Sequence, residues 1–398
     1  MPRILLVTPA ELTRDPRARR AAQAARALGY GVVGLSGQIS GEPPAPLDGV
    51  DVVRVGRQGR TNSQWKIGGT SRRLPAPLRE LRGLYRLARL VRRTRALRRA
   101  GTTIGRTDVV HANDLETLPA AARLASELHS RLVYDAHELY ADFDADPPRI
   151  ATAIQSRVER RLARRADAVV TVSAPIADEL RRRIGVDPIV VLNAPERHER
   201  DPPDVPAPPP LRVVYQGAFG TGRPLEDLLR AVRAAPSVEL TLRVSRTAST
   251  LLEATLPPDV RARVHARDPV DPSEVVAALH GHHVGLLFDR PVTRNAELSA
   301  PNKLFEYLMA GLAVVAPDLP GLRWVREEGL GVLFEAGSAE ALAAALEELA
   351  ASPEQLDALR TNARRAAVER YNAEAQRDAL ARAWGAGSAS AGDSIAPA

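Results

Sequence analysis

The sequence contains no cysteine, only 4% aromatic residues and no long uncharged apolar run. Without cysteine the chain forms no disulfide, no thiolate zinc site and no cysteine nucleophile, so a reducing compartment suits it. No apolar run approaches the roughly 18 residues of a transmembrane helix. A strand-like run at residues 3–8 follows the first residues directly, without the apolar stretch of a secretory signal peptide. These absences predict a cytoplasmic protein.

Lysine is nearly absent from a chain that is rich in arginine. Of 55 basic residues only Lys66 and Lys303 are lysines, so each is a candidate for a specific role. The net charge is +7, but residues 72–99 alone contain eleven arginines and one acid, Glu80, which leaves −3 on the rest of the chain. The sequence therefore carries one basic element, and a basic surface for nucleic acid is not expected.

That basic element has three interpretations. Leu78, Leu81, Tyr85 and Val91 recur at helical spacing among the arginines, which predicts an amphipathic helix over residues 78–99. The helix either covers the first sheet or lies on an anionic membrane, which a charge of +10 would attract. The scarcity of aromatic residues for base stacking disfavours nucleic acid. Peripheral contact through residues 72–99, at the inner face of the membrane, therefore stays open.

The chain is long enough for two domains, and β-rich runs alternate with helical patterns throughout. This alternation predicts the α/β class, with two Rossmann-like domains that face each other across a cleft. The predicted parts are an N-terminal domain (1–195), a proline-rich linker (196–210), a C-terminal domain (211–372), a helix that packs back on the first domain (373–384) and a disordered tail (385–398). Long loops are expected at residues 36–50 and 56–76.

The first candidate motif is Ser-Ala-Pro-Asn-Lys-Leu-Phe-Glu-Tyr at residues 299–307. Ser299 is predicted as the N-cap of a helix on which Asn302, Lys303 and Glu306 share one face. Free backbone amides, the positive end of the helix dipole and a lysine would bind a diphosphate, and a carboxylate one turn deeper would accept hydrogen bonds from ribose. The alternative is an ordinary exposed Lys303–Glu306 pair.

Two further candidates lie where predicted strands end. Residues 215–226 read as a strand, a glycine-rich turn and a helix start, which brings Gly217 and Arg223 towards the cleft, although such a junction alone is a weak signal. His111 and His137 each follow a strand and have acids beside them. A single histidine of this kind is commonly structural, but two at neighbouring strand ends favour a site.

Two patterns suggest a metal, and neither is adopted. Residues 142–146 contain overlapping Asp-x-Asp spacings, but no second ligand cluster supports them and a solvated loop is preferred. His280, His282 and His283 precede a strand, where a polar turn explains them. No metal and no cofactor are expected.

The motifs together resemble the GT-B glycosyltransferases of the large retaining family 4. Residues 299–316 are similar to the most specific motif of that family, residues 215–226 to its donor-phosphate loop, and the segments around His111 and His137 to its N-domain cleft motifs. The final helix resembles the one that braces the first domain, so the resemblance spans about residues 3–384. It implies transfer of a sugar from a nucleotide diphosphate donor, with retention of anomeric configuration and without an obligatory metal. No small molecule other than the donor and the acceptor is expected. The acceptor is a hydroxyl of a glycan, a glycolipid or a small molecule, and a lipid-linked acceptor would suit the basic helix.

The resemblance also assigns roles to residues. Lys303 and Arg223 would neutralise the donor diphosphate, Glu306 would bind ribose, and His137 would contact the donor sugar near the reacting carbon. The implied catalytic residues are His137, Lys303 and Arg223; donor binding adds Gly217, Ser299, Asn302 and Glu306; the acceptor side has His111, Asp114 and Asp135.

The sequence departs from the family pattern at three places. Leu298 stands where many relatives carry a glutamate, Ala218 where an arginine often follows the loop glycine, and the first βα loop lacks its usual glycines. A non-catalytic module that binds nucleotide sugar or membrane is therefore one alternative, and a nucleotide-sugar epimerase of the same fold is another.

Overall fold

The computed structural model describes residues 1–37, 46–55, 75–220 and 222–386. The two series of predicted strands form two separate parallel sheets, so the expectation of an α/β protein with two Rossmann-like sheets is confirmed. Most of the two long loops and nearly all of the tail that the sequence predicts lie outside the described residues.

In the described part of the chain the first sheet has seven strands, ordered β3-β2-β1-β4-β5-β6-β7. Their bounds are β1 Arg3–Thr8, β2 Gly31–Ser36, β3 Val50–Arg54, β4 Val109–Asn113, β5 Arg131–Ala136, β6 Ala168–Thr171 and β7 Ile189–Val190. The order reverses between β1 and β4, where Leu6 pairs with both Gly34 and His111. A crevice for ligands therefore opens at the carboxyl ends of these two strands.

Five α-helices of the described residues connect the strands of this sheet along the chain. They are α1 Pro16–Ala27, α2 Ala76–Gly101, α3 Leu118–Leu128, α4 Arg149–Ala163 and α5 Ala174–Ile184. The sequence pattern predicts all except α4, which buries only Ala151, Glu159 and Ala163. Gly83 lets α2 and α4 approach closely, because a Cβ there would lie 2.7 Å from Pro148 and 2.8 Å from Ala151.

The second sheet has six strands among the described residues, ordered β10-β9-β8-β11-β12-β13. Their bounds are β8 Leu211–Gln216, β9 Val238–Arg243, β10 Val264–Arg267, β11 Val284–Leu286, β12 Ala313–Pro317 and β13 Gly331–Phe334. The order reverses between β8 and β11, and β8 leads directly into the glycine-rich turn that begins at Gly217. The second crevice therefore lies beside that turn.

The helices of the second half are α6 Leu225–Ala234, α7 Arg246–Thr255, α8 Pro258–Arg261, α9 Val275–Leu279, α10 Arg294–Leu298, α11 Asn302–Met309, α12 Arg323–Glu327, α13 Ala339–Ala351, α14 Pro353–Glu369 and α15 Arg377–Trp384. The sequence does not predict α7, α8, α10 or α12, most of which are too short to show a period. Helix α15 returns to the first sheet and packs on β5, β6 and β7, with Trp384 in the apolar cluster of that sheet. The domain limits at residues 195 and 211 stay a prediction.

None of the helices in the described ranges combines the length and the apolarity that crossing a membrane requires.

Candidate active site

The start of α11 differs in detail from its prediction. Ser299 is not its N-cap: it ends α10, and its hydroxyl donates to the Asn295 carbonyl at 2.7 Å. The N-cap position holds Pro301, and no side chain caps the helix there. Helix α11 begins only at Asn302, three residues after Ser299, so the serine lies too far from the first turn to cap it. The first backbone amides of α11 are thus left to bind an anion.

Lys303 points into the protein, towards the glycine-rich turn. It is 8% exposed, and within the described residues its Nζ has no hydrogen-bond partner. The ammonium lies 4.4 Å from the centre of the Tyr215 ring and 3.6 Å from the place where a Cβ on Gly217 would stand. Burial lowers the pKa of Lys303 to about 8, although the charge of Asp289 opposes this. A buried, unpaired cation of this kind is suited to receive an anionic ligand.

Gly217 and Arg223 border the same space. Gly217 has a φ of +131°, in the region that favours glycine, so the turn holds its backbone close to Lys303 without a side chain. Arg223 closes the turn, since its backbone N–H donates to the Gly220 carbonyl at 2.8 Å. The positive charge of Arg223 also lowers the pKa of Lys303.

Asp289 is a site residue that the sequence does not single out. It accepts a hydrogen bond from Nε of Arg223, and although burial opposes it, the carboxylate raises the pKa of that arginine. Asp289 follows β11 by three residues, at the crevice between β8 and β11. Its place at the end of a strand is the signal that could have identified it.

Glu306 does not pair with Lys303 on an exposed surface. Its carboxylate accepts from Nε2 of Gln216, and burial raises its pKa. The positive charge of Arg20, on α1 of the first domain, opposes this rise in the pKa of Glu306. The interpretation of Lys303 and Glu306 as an exposed ion pair does not fit these positions, because Lys303 is buried and Glu306 has another partner.

Lys303, Gly217 and Arg223 form one wall of the site, in the second domain. The opposite wall, in the first domain, is formed around His137. Its Nδ1 lies 3.4 Å from Oδ1 of Asp114, and its Nε2 lies 3.3 Å from Oδ2 of Asp135. Burial disfavours the charged ring, but the two carboxylates overcome it and raise the pKa of His137 to about 9. Asp114 has a φ of +73°, a left-handed conformation that aspartate tolerates, and it also accepts from the hydroxyl of Tyr140. His137 is therefore an imidazolium at neutral pH.

Arg17 is a second residue that sequence reasoning misses. Its Nε and Nη2 donate to the two oxygens of Asp135, each at 2.7 Å. Although burial opposes ionisation, Arg17 and His137 hold the pKa of Asp135 well below its usual range. The guanidinium also donates to the Val191 carbonyl and to Asn193. Nothing marks Arg17 among the many arginines of the sequence.

His111 lies behind this wall and is fully buried. Its Nδ1 accepts from Nε1 of Trp384 at 3.0 Å, and its Nε2 lies 3.4 Å from Oδ2 of Asp135. Neither His111 nor Asp135 is more than 1% exposed, whereas Asp114, the third residue predicted for the acceptor side, keeps some exposure. The acceptor-side assignment stays a prediction.

The two walls are joined by α10. Asn295 accepts from the Leu139 backbone N–H at 2.8 Å and donates to the carboxylate of Glu138. The Ser173 hydroxyl donates to the Leu298 carbonyl at 3.0 Å, and the Leu298 side chain packs in the apolar cluster of the first sheet. Leu298, which stands where the family pattern has a glutamate, is thus an apolar contact between the domains.

The two metal patterns have other partners. The carboxylates of Asp142, Asp144 and Asp146 pair with Arg183, Arg86 and Arg79. His283 accepts from the Arg212 N–H at 2.9 Å and faces the Pro206 carbonyl at 2.8 Å, as a structural histidine does. Among the residues that the structure describes, no group of three or more histidines and acids could hold a metal ion.

Two parallel-sheet domains that meet at the carboxyl ends of their strands define the GT-B architecture. The chain is similar in fold to the sucrose-phosphate synthase of Thermosynechococcus elongatus, with a TM-score of 0.70 and 16% identity over 96% of this chain and 98% of that one. It is also similar to HepE from Anabaena, in a structure with UDP and glucose, with a TM-score of 0.62 and 15% identity over 96% and 99% of the two chains. No curated protein matches its sequence.

Two family models match the chain. Residues 17–195 match the model described as Glycosyltransferase Family 4, and residues 223–382 match one described as glycosyl transferase-like. The chain therefore belongs to the glycosyltransferases of the GT-B fold, as the sequence motifs suggest.

Proposed function

We propose that the enzyme transfers a sugar from a nucleoside diphosphate donor to a hydroxyl of its acceptor, with retention of configuration. The observation that carries the proposal is the buried ammonium of Lys303, which faces Gly217 beside the uncapped start of α11. These groups provide charge and free N–H donors for a diphosphate. Retention rests on the resemblance to family 4. HepE has been crystallised with UDP-glucose, which makes this compound the first donor to try.

The rate would come from stabilising the leaving diphosphate. Negative charge builds on that group as the sugar departs, so fixed cations near it matter more in the transition state than in the ground state. Lys303 and Arg223 would supply those cations, and Glu306 would accept hydrogen bonds from ribose. The imidazolium of His137 would donate to a hydroxyl of the donor sugar from the opposite wall, near Asp114 on the acceptor side.

Replacing Lys303 tests this assignment. Lys303→Ala should lower kcat by roughly 10²- to 10³-fold, as the loss of one charge-stabilising donor typically does. Lys303→Arg should recover only part of the rate, because a planar guanidinium cannot replace a compact ammonium without moving the phosphates. Arg230→Ala is the matched control, since it removes an exposed cation that pairs with Asp227 on α6. Near-normal turnover by a folded Lys303→Ala protein would contradict the proposal.

The same assay separates the alternatives. Release of nucleoside diphosphate that depends on an added acceptor indicates a transferase. Conversion of the donor sugar without transfer would indicate an epimerase, and tight binding of UDP-glucose without any turnover would indicate a non-catalytic module.

We also propose that α2 binds anionic membranes peripherally, at the inner face of a membrane where a lipid-linked acceptor would lie. The second half of this helix packs on the first sheet, where Leu97 joins the apolar cluster, but only Gly83, Thr94, Leu97 and Gly101 of the whole helix are buried. Its first half exposes Leu78 (52%), Leu81 (63%) and Tyr85 (58%). The exposed arginines of the helix are Arg82, Arg89, Arg92, Arg95, Arg98 and Arg99.

Two neighbouring features extend this surface. Glu80, the acid of the basic segment, accepts from the backbone N–H groups of Arg149 (2.6 Å) and Ile150 (3.1 Å) and so caps α4. Helix α4 then presents Ile150 and Ile154 beside α2, 54% and 43% exposed. Apolar side chains among cations are the composition that binds an anionic lipid surface.

Co-sedimentation with vesicles tests the membrane contact. The protein should bind vesicles that contain phosphatidylglycerol, and binding should weaken steeply as salt reduces the screening length to about 10 Å at 0.1 M. Leu81→Ser should reduce binding, whereas Leu251→Ser, which alters a side chain 62% exposed on α7 of the other domain, should not. Equal binding to neutral phosphatidylcholine vesicles, or none at low salt, would contradict the proposal.

A further inference from the structure

The last helix reaches the wall around His137 through a buried chain of side chains. Nε1 of Trp384 donates to Nδ1 of His111 at 3.0 Å, and Nε2 of His111 lies 3.4 Å from Oδ2 of Asp135. The same oxygen lies 3.3 Å from Nε2 of His137. Trp384, His111 and Asp135 are 3%, 0% and 1% exposed, so water does not compete for these contacts.

The chemistry of the four groups determines where the protons lie. An indole N–H can only donate, so Nδ1 of His111 must accept. Because Nδ1 is an acceptor, the proton of the neutral ring is on Nε2, which faces Asp135. Oδ2 of Asp135 therefore faces the N–H of His111, and it also accepts from Nε of Arg17 at 2.7 Å. Its contact with Nε2 of His137, at 3.3 Å, is an ion-pair contact, since that nitrogen has no hydrogen-bond partner within the described residues. These donors hold the carboxylate in the orientation that His137 requires.

We infer that Trp384 is a positioning residue for His137 and that it acts through His111 and Asp135. The inference rests on the proposed role of His137 at the donor sugar. Trp384 belongs to α15, which follows the second domain in the chain but packs on the first sheet. The wall that meets the sugar is thus completed by the last helix, and correct docking of α15 is a condition for full activity.

Removing the indole N–H leaves Nδ1 of His111 without its donor. The neutral ring is then more stable with its proton on Nδ1 or in a rotated position. Either change removes the N–H that faced Oδ2 of Asp135. His137 keeps its charge because Asp114 and Asp135 remain, but its ring is no longer held in one orientation. Misplacement of a group at the reacting carbon affects kcat, whereas Lys303 and Arg223, which would bind the diphosphate, lie in the other domain.

Trp384→Phe tests the first contact of this chain, the indole hydrogen bond to His111. The variant removes that hydrogen bond but keeps an aromatic ring against Tyr30, whose ring centre lies 5.9 Å from that of Trp384. With UDP-glucose, or whichever donor supports transfer, kcat should fall between about 10- and 100-fold, the range seen when a buried orienting partner is lost. Donor KM should change by less than about 2-fold. The matched control is Trp324→Phe, which loses an indole hydrogen bond to the Gly321 carbonyl (3.1 Å) in the second domain. This control should leave kcat unchanged.

His111 variants test whether the effect passes through this ring. His111→Gln can accept from Trp384 and donate to Asp135, so it should keep most of the activity, whereas His111→Leu should lose as much as Trp384→Phe does. Adding Trp384→Phe to His111→Leu should cost little more. Independent, multiplying losses in the double variant would overturn the inference.

Nitrogen NMR of ¹⁵N-histidine-labelled protein gives a readout that does not need turnover. The NMR signals of the His111 ring are assigned by their loss in the His111→Gln variant. In the wild type this ring should carry its proton on Nε2. A proton on Nδ1 in the wild type, or an unchanged tautomer together with unchanged kcat in Trp384→Phe, would overturn the inference. If no donor supports turnover in the wild type, the proposed function fails, and the tautomer still decides whether the chain of hydrogen bonds exists.

Discussion

At the scale of single residues, Lys303 shows why one lysine stands in a chain of arginines. Its Nζ is buried against the Tyr215 ring and Gly217 without a hydrogen-bond partner in the described part of the chain. A guanidinium would bring five N–H donors into this space, whereas an ammonium is compact. Burial also lets the charge of Lys303 vary near neutral pH, because its pKa is lowered to about 8.

This lowered pKa predicts that UDP binding takes up protons near pH 8. In the free protein part of Lys303 is neutral at that pH; a bound diphosphate favours the ammonium and raises its pKa, so binding adds a proton. UDP affinity should therefore fall as pH rises through 8. Calorimetry in buffers with different ionisation enthalpies measures the uptake. Lys303→Arg, whose side chain stays charged, should abolish it, and an equal uptake in that variant would assign the proton to another group.

At the scale of elements, α10 shows how a short segment joins the domains. Its five residues place Asn295 between the Leu139 N–H and the Glu138 carboxylate and insert Leu298 into the first domain. Burial raises the pKa of Glu138 to about 7, with the Asn295 hydrogen bond opposing the rise. The contact therefore includes a carboxyl group that titrates near neutral pH.

Asn295→Asp should destabilise the protein, and more so as pH rises through about 7. The new carboxylate cannot donate to Glu138, and once Glu138 ionises the two negative charges repel each other. A loss of about 1–3 kcal/mol in the free energy of unfolding is expected at pH 8. Thermal unfolding at pH 6 and pH 8 measures the difference. Glu297→Ala, on the same helix but in an exposed pair with Arg294, is the control; a pH-independent loss in Asn295→Asp would exclude Glu138 as the partner.

Prediction from sequence succeeds for the elements whose signal is local. Every strand of both described sheets, and the long helices other than α4, follow from hydrophobic period and strand composition. The role predicted for Lys303 at a diphosphate rests on a local motif as well. The roles of Arg17 and Trp384 could not be predicted in this way, because they depend on contacts with residues distant in the chain, such as His111 and Trp384, which are 273 positions apart. Helix α10 is missed because five residues show no period.

At the scale of the whole molecule, the site has cations of the second domain on one side and a charged histidine of the first domain on the other. Lys303, Arg223 and the start of α11 would face the donor from the second domain, and His137, with Asp114 beside it, would face the donor from the first. The bridge through Asn295 and Leu298 holds these walls together, and α15 ties the end of the chain to the first wall. The arrangement places positive charge on both sides of the space between the domains.

This distribution of charge leads to the prediction that transfer needs no divalent metal. Lys303 and Arg223 would neutralise the diphosphate, the task that Mg²⁺ or Mn²⁺ performs at sites with paired carboxylates. EDTA should leave kcat unchanged within error. A loss that Mn²⁺ restores would contradict this and direct attention to residues 142–146, where Asp144 and Asp146 pair with Arg86 and Arg79 of α2. Asp144→Asn then separates the explanations: it abolishes the Mn²⁺ rescue if the loop binds metal, and leaves kcat unaffected if Asp144 only holds α2.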